Sequence, residues 1–70
     1  MEQVKINTDY IKLDQFLKWT GACDNGAMAK AFIIDGCVKV NGDVEIQRGK
    51  KLRNGDVVEF ETKEYTVVQE

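Results

Sequence analysis

Apolar side chains recur at two spacings along this chain, and each change of spacing marks a new element. Val4 and Ile6 alternate with Lys5 and Asn7, a period of two that predicts a short first strand. Leu13, Phe16, Leu17 and Thr20 then fall three and four apart, so they share one face of a helix. Thr8 and Asp9 are capable N-caps ahead of it, and Gly21 is a natural stop. A second helix is predicted over residues 26–35, capped by Asp24 or Asn25 and ended by Gly36, with Ala29, Phe32 and Ile33 as its buried stripe. The link between the helices is short, so they must pack as neighbours. Neither is long enough to persist alone in water, and both need a sheet to cover.

The period of two returns at Val38 and Val40, alternating with Lys39 and Asn41. Asn41-Gly42 or Gly42-Asp43 makes a tight reversal into Val44 and Ile46. Residues 47–51 form a polar, basic loop, and Leu52 precedes a turn at Asn54-Gly55-Asp56. A strand over residues 57–61, a turn over 62–64 and a last strand over 65–69 complete the chain. This order predicts an α+β domain: two short packed helices against a small, mainly antiparallel sheet. Seventy residues leave no room for a second core, so residues 1–70 are read as one domain.

The formal net charge of −2 argues against a polyanionic partner, but its distribution argues for one. Residues 12–53 carry eight Lys or Arg against five acids, whereas residues 54–70 carry five acids and one Lys. Where charge sits matters more to a partner than its total. Two cysteines without a histidine make no ordinary four-ligand zinc site, and no cofactor is expected. A disulfide between Cys23 and Cys37 is geometrically conceivable. The first residues lack the apolar stretch of a signal peptide, however, so the expectation is two reduced thiols in the cytoplasm. The longest apolar run, residues 31–34, is too short to cross a membrane. With no nucleophile-and-base constellation and no phosphate loop, no enzyme and no small-molecule substrate are expected. A monomer is the default.

The ordered set Lys12-Leu13-Asp14, Leu17, Gly21, Asn25-Gly26, Ala29-Lys30, Ile33, Gly36, Val38, Val40, Asn41-Gly42 and Gly55-Asp56 resembles the S4 RNA-binding family. The match covers roughly residues 11–60, and the short length resembles the small stand-alone, ribosome-associated members. No single piece is specific; the order is. Where that family commonly has Ser-Arg at the start of helix two, this chain has Asn25-Gly26. The resemblance implies the S4-like, or αL, fold. It also implies non-catalytic binding of structured RNA, ribosomal RNA above all, through phosphate contacts from a basic face of helix N-termini, hairpin and basic loop. The alternative is a protein-interaction adaptor that keeps the fold without RNA binding. The missing arginine, the net acidity and the late acids Glu59, Glu61, Glu64 and Glu70 motivate it.

Candidate contacts follow from position. Lys12 is expected in the first turn of helix one, where a cation is disfavoured by about 0.3–1 kcal/mol. Lys18 stands four residues after Asp14, in the acid-first order that supports a helix, so part of its charge serves the fold. The amides near Asn25 and Gly26 lack intrahelical acceptors, and Lys30 lies one turn on. On spacing alone that is a plain cap and a solvated lysine; the resemblance implies a phosphate seat. Lys39 lies on the hairpin face opposite Val38 and Val40, while Asn41 is read as a turn residue. Arg48, Lys50, Lys51 and Arg53 pack into six positions of a loop expected to be flexible. Phe16 and Phe32 are expected in the core, Cys23 as a small filler, and Trp19 as partly exposed, free to stack on a base or to cover the helix edge.

Overall fold

The computed structural model describes residues 1–70. In chain order it contains β1 (Glu2–Ile6), β2 (Ile11–Lys12), α1 (Leu13–Trp19), α2 (Gly26–Ile34), β3 (Val38–Val40), β4 (Asp43–Val44), β5 (Lys51–Leu52), β6 (Val57–Phe60) and β7 (Lys63–Gln69). Five strands form one sheet in the order β1-β7-β6-β3-β4, antiparallel except where β1 runs parallel to β7. β2 and β5 make a separate two-stranded antiparallel ribbon.

Alternation along the strands turns one sheet face inward. Val4, Ile6, Val38, Val40, Val58, Phe60, Tyr65 and Val67 are buried, and the helices cover them with Leu13, Phe16, Leu17, Ala29 and Ile33. The Phe16 and Tyr65 rings meet edge to face at 6.1 Å, joining α1 to the sheet. Phe32 is only half-buried, packed edge-on against Phe60 at 5.1 Å. The stripe that predicted it in the core was one position too wide. Ala29, a smaller residue of the same stripe, is fully buried.

Several local expectations are resolved by backbone geometry. Asn41 (φ 53°) and Gly42 (φ 89°) form the two-residue hairpin loop between the paired Val40 and Asp43. Pairing stops at Val44, leaving Ile46 exposed instead of in a strand. The last turn comes earlier than the sequence indicated: Glu61 and Thr62 both take positive φ, and β7 already begins at Lys63. Gly36 (φ 79°) ends α2, where Cys37 N–H donates to the Phe32 carbonyl at 3.0 Å.

The start of α1 differs most. Thr8 and Asp9 do not cap it; the N-cap is Lys12, whose side chain makes no capping hydrogen bond. Instead Leu13 N–H donates to the Lys50 carbonyl at 2.8 Å and Asp14 N–H to the Arg48 carbonyl at 3.1 Å. The orphan donors of the first turn are thus satisfied by a segment more than thirty residues downstream, and that segment is thereby fixed. The basic loop, expected to be free, is tethered to α1 at two points.

Candidate functional site

The β2–β5 ribbon is two residue pairs long, Ile11 with Leu52 and Lys12 with Lys51. Leu52 is fully buried and Ile11 packs against the core, so the alternate residues must point outward. Lys12, Lys51 and Arg53 are exposed there, together with Tyr10. Two lysines directly opposite each other across a ladder repel, at a cost on the order of 0.2–1 kcal/mol. Nothing in the ribbon neutralises them.

The tether to α1 adds Arg48 and Lys50 to the same end of the molecule. Five of the ten sequence candidates therefore converge around the start of α1: Lys12, Arg48, Lys50, Lys51 and Arg53. Lys12 was expected inside the first helical turn; it lies one residue before it, in β2. No Lys or Arg head group takes part in a side-chain hydrogen bond anywhere in the chain; of these five cations, only Lys51 and Arg53 have an internal partner, a weak one in the Tyr10 ring. One expectation fails here. The N-terminus of α1 offers no anion seat, because Lys50, Arg48 and the Asp14 carboxylate already accept from the amides of Leu13, Asp14 and Gln15.

The start of α2 is open. Asn25, not Asp24, is the cap, and its side-chain oxygen accepts from Met28 N–H at 2.8 Å. Gly26 N–H and Ala27 N–H precede the first amide with an intrahelical acceptor, Ala29. A Cβ at Gly26 would meet nothing within 4 Å, so the fold itself does not demand glycine there. Lys30 is exposed one turn on. Lys18 sits in the last turn of α1, roughly 9 Å along the axis from Lys12 at the ordinary helical rise.

Lys39 stands apart. Its neighbours Val38 and Val40 face the helices, so Lys39 lies on the opposite, solvent face of the sheet, paired with Glu59, which is in turn paired with Glu64. Two further residues are resolved by the geometry. Trp19 is 62% exposed, but its Nε1 donates to the Lys5 carbonyl at 3.1 Å on the free edge of β1. Tyr10, which the sequence reading passed over, lies beneath Lys51 Nζ at 4.9 Å and Arg53 Cζ at 5.5 Å from the ring centroid. Its signal was available in Tyr10-Ile11-Lys12, an alternation too short to register as a strand.

Cys23 is buried and Cys37 exposed, and both are free. Burial pushes the Cys23 thiol above its ordinary value, with the charges of Glu61 and Asp24 acting in the same direction. One pocket opens on the surface, lined by Gly21, Ala22, Phe60, Glu61, Lys63 and Tyr65. It contains none of the candidate contacts.

The S4 domain family model matches residues 4–68, nearly the whole chain. The chain belongs to the S4 domain family. It is 45% identical over 58 residues to the probable ribosome maturation protein RlbA of Bacillus subtilis, covering 83% of this chain and 82% of that one. It is 39% identical over 51 residues to the putative RNA-binding protein YbcJ of Escherichia coli, covering 73% of each. The solution structure of YbcJ, whose αL motif is described as involved in RNA binding, superimposes with a TM-score of 0.74 at 33% identity, over 97% of this chain and 87% of that one. The 30S ribosomal protein S4e of Thermoplasma acidophilum shares the fold, with a TM-score of 0.65 at 20% identity over 86% of this chain and 32% of that one. This S4 domain protein is α+β and non-enzymatic.

Proposed function

We propose that this S4 domain protein binds structured RNA, ribosomal RNA above all, as a non-catalytic monomer in the cytoplasm. The observation that carries the reading is the outward face of the β2–β5 ribbon, where Lys12 stands directly opposite Lys51 with Arg53 beside them. A fold shaped for stability alone would place an acid in one of those positions; a phosphate between the two lysines relieves the repulsion. Arg48 and Lys50 enlarge the cationic surface, and the free amides of Gly26 and Ala27 with Lys30 supply a second phosphate contact. The names of RlbA and YbcJ support RNA as the partner and the ribosome as its setting. A-form RNA is held chiefly through its backbone and shape, which suits a surface of cations with few base-reading groups.

The test is a salt titration of affinity for a structured ribosomal RNA fragment. Binding is expected to weaken steeply, by about one counterion released per phosphate contacted. Affinity that stays flat from low to moderate salt contradicts the reading. An adaptor function is the second reading, favoured by the exposed Ile34, Val44 and Ile46. It predicts protein partners that remain bound after nuclease treatment.

A further inference from the structure

Tyr10 lies one residue beyond the Ile11–Leu52 pair, at the open end of the ribbon and level with Arg53. The Thr8 hydroxyl donates to the Tyr10 carbonyl at 2.7 Å, which holds the backbone at this point. Tyr10 is 37% exposed and belongs to no core cluster, and two cations lean on its ring, Lys51 at 4.9 Å and Arg53 at 5.5 Å. From this arrangement we infer that Tyr10 is a stacking platform for one unpaired nucleobase of the bound RNA, with Lys51 and Arg53 taking the phosphates that flank it. The inference rests on the RNA-binding reading above and adds a place where a base, not the backbone, is held.

A cation over an exposed aromatic ring is held weakly by the ring quadrupole, and a phosphate oxygen attracts the same head group more strongly. RNA approaching the ribbon therefore draws Lys51 and Arg53 off the ring and uncovers an aromatic face. Each base arrives with its own phosphates, so a base on Tyr10 brings two anions to the two displaced cations. Stacking of this kind tolerates any base, because every base presents a π-face. Trp19, the other exposed aromatic on this half of the chain, has its indole N–H committed to the edge of β1 and no cation over its ring. It covers that edge. Only Tyr10 combines an accessible ring with phosphate-binding neighbours.

The experiment compares an RNA hairpin with an open loop and a blunt RNA duplex of matching stem, titrated against the whole chain and two variants. Tyr10→Leu is expected to lose affinity for the hairpin on the order of 10-fold or more and to bind the duplex as the parent does, while Tyr10→Phe binds both normally. In the parent chain the Tyr10 ring protons are expected to move upfield in NMR spectra as hairpin is added. That measurement decides the matter if Tyr10→Leu fails to fold, and unmoved ring protons overturn the platform. Equal hairpin affinity in parent and Tyr10→Leu, with salt-dependent binding intact, also overturns it and leaves the RNA-binding reading standing. Parent chain that binds neither RNA in a salt-dependent way overturns both.

Discussion

The Asn41 side-chain amide donates to the Asp56 carboxylate at 3.1 Å, and the other oxygen of that carboxylate accepts from Arg53 N–H at 2.8 Å. Asn41 also accepts from Val57 N–H through its side-chain oxygen at 2.9 Å. A turn residue of one hairpin therefore fixes the turn that leads from the basic ribbon into β6. The Asn-Gly and Gly-Asp pairs, far apart in sequence, are two halves of one clasp. Arg53, at the edge of the candidate interface, is held by its backbone through that clasp.

Breaking the clasp separates two roles of Asn41. Asn41→Gly keeps the positive φ and loses both side-chain hydrogen bonds, for an expected loss of about 1–2 kcal/mol. Asn41→Ala loses the same bonds and adds the left-handed penalty, about 1 kcal/mol more. Urea unfolding of the two variants checks the difference; equal midpoints contradict it.

The Lys12–Lys51 pair predicts that stability and binding move in opposite directions. Lys12→Glu replaces a repulsive cross-strand pair by an attractive one, stabilising the fold by roughly 0.2–1 kcal/mol. The same change should weaken RNA binding and flatten its salt dependence. Thermal unfolding and an affinity titration on one preparation test both halves. A destabilised Lys12→Glu chain would show that the lysines are not opposed as described.

Much of the fold was legible because its signals are local. Leu13, Phe16 and Leu17 marked α1, Ala29 and Ile33 marked α2, and Asn41-Gly42 marked the hairpin. What escaped was non-local. β2 and β5 have two residues each, too few for alternation to show, and they are joined by pairing across about forty positions. Without that ribbon the cap of α1 could not be foreseen, so Thr8 and Asp9 stood in for carbonyls supplied by Arg48 and Lys50. Tyr10 and the tethering of the basic loop were hidden for the same reason. Lys39 looked equivalent to its fellow cations until the sheet set it against Glu59.

The two phenylalanines on the helices should differ. Phe16 is fully buried, and Phe16→Ala is expected to cost about 3–5 kcal/mol, enough to unfold a domain of this size. Phe32 is half-buried against Phe60, so Phe32→Ala leaves a smaller void and a folded, weakened domain. Circular dichroism with denaturant titration distinguishes them, and equal losses would contradict the burial difference.

The two thiols offer a check on the core and on pH. In the native chain Cys37 should react readily with iodoacetamide and Cys23 only after unfolding. The Cys23 thiol is raised in the folded state, so its contribution to stability is complete below the thiol value of the unfolded chain. It declines as pH rises from there through the folded value, because the unfolded chain then binds fewer protons. Urea midpoints should fall across that window in the parent, and less so in Cys23→Ala. A slope unaffected by the substitution would contradict this.

Amide shifts in NMR spectra, mapped as structured RNA is added, locate the RNA-contacting surface residue by residue. Changes are expected to concentrate at Tyr10–Lys12 and residues 48–53, with a second group at Gly26, Ala27 and Lys30, while Lys39, Glu59 and Glu64 stay still. Shifts confined to that outer sheet face, with the ribbon unmoved, would contradict this placement.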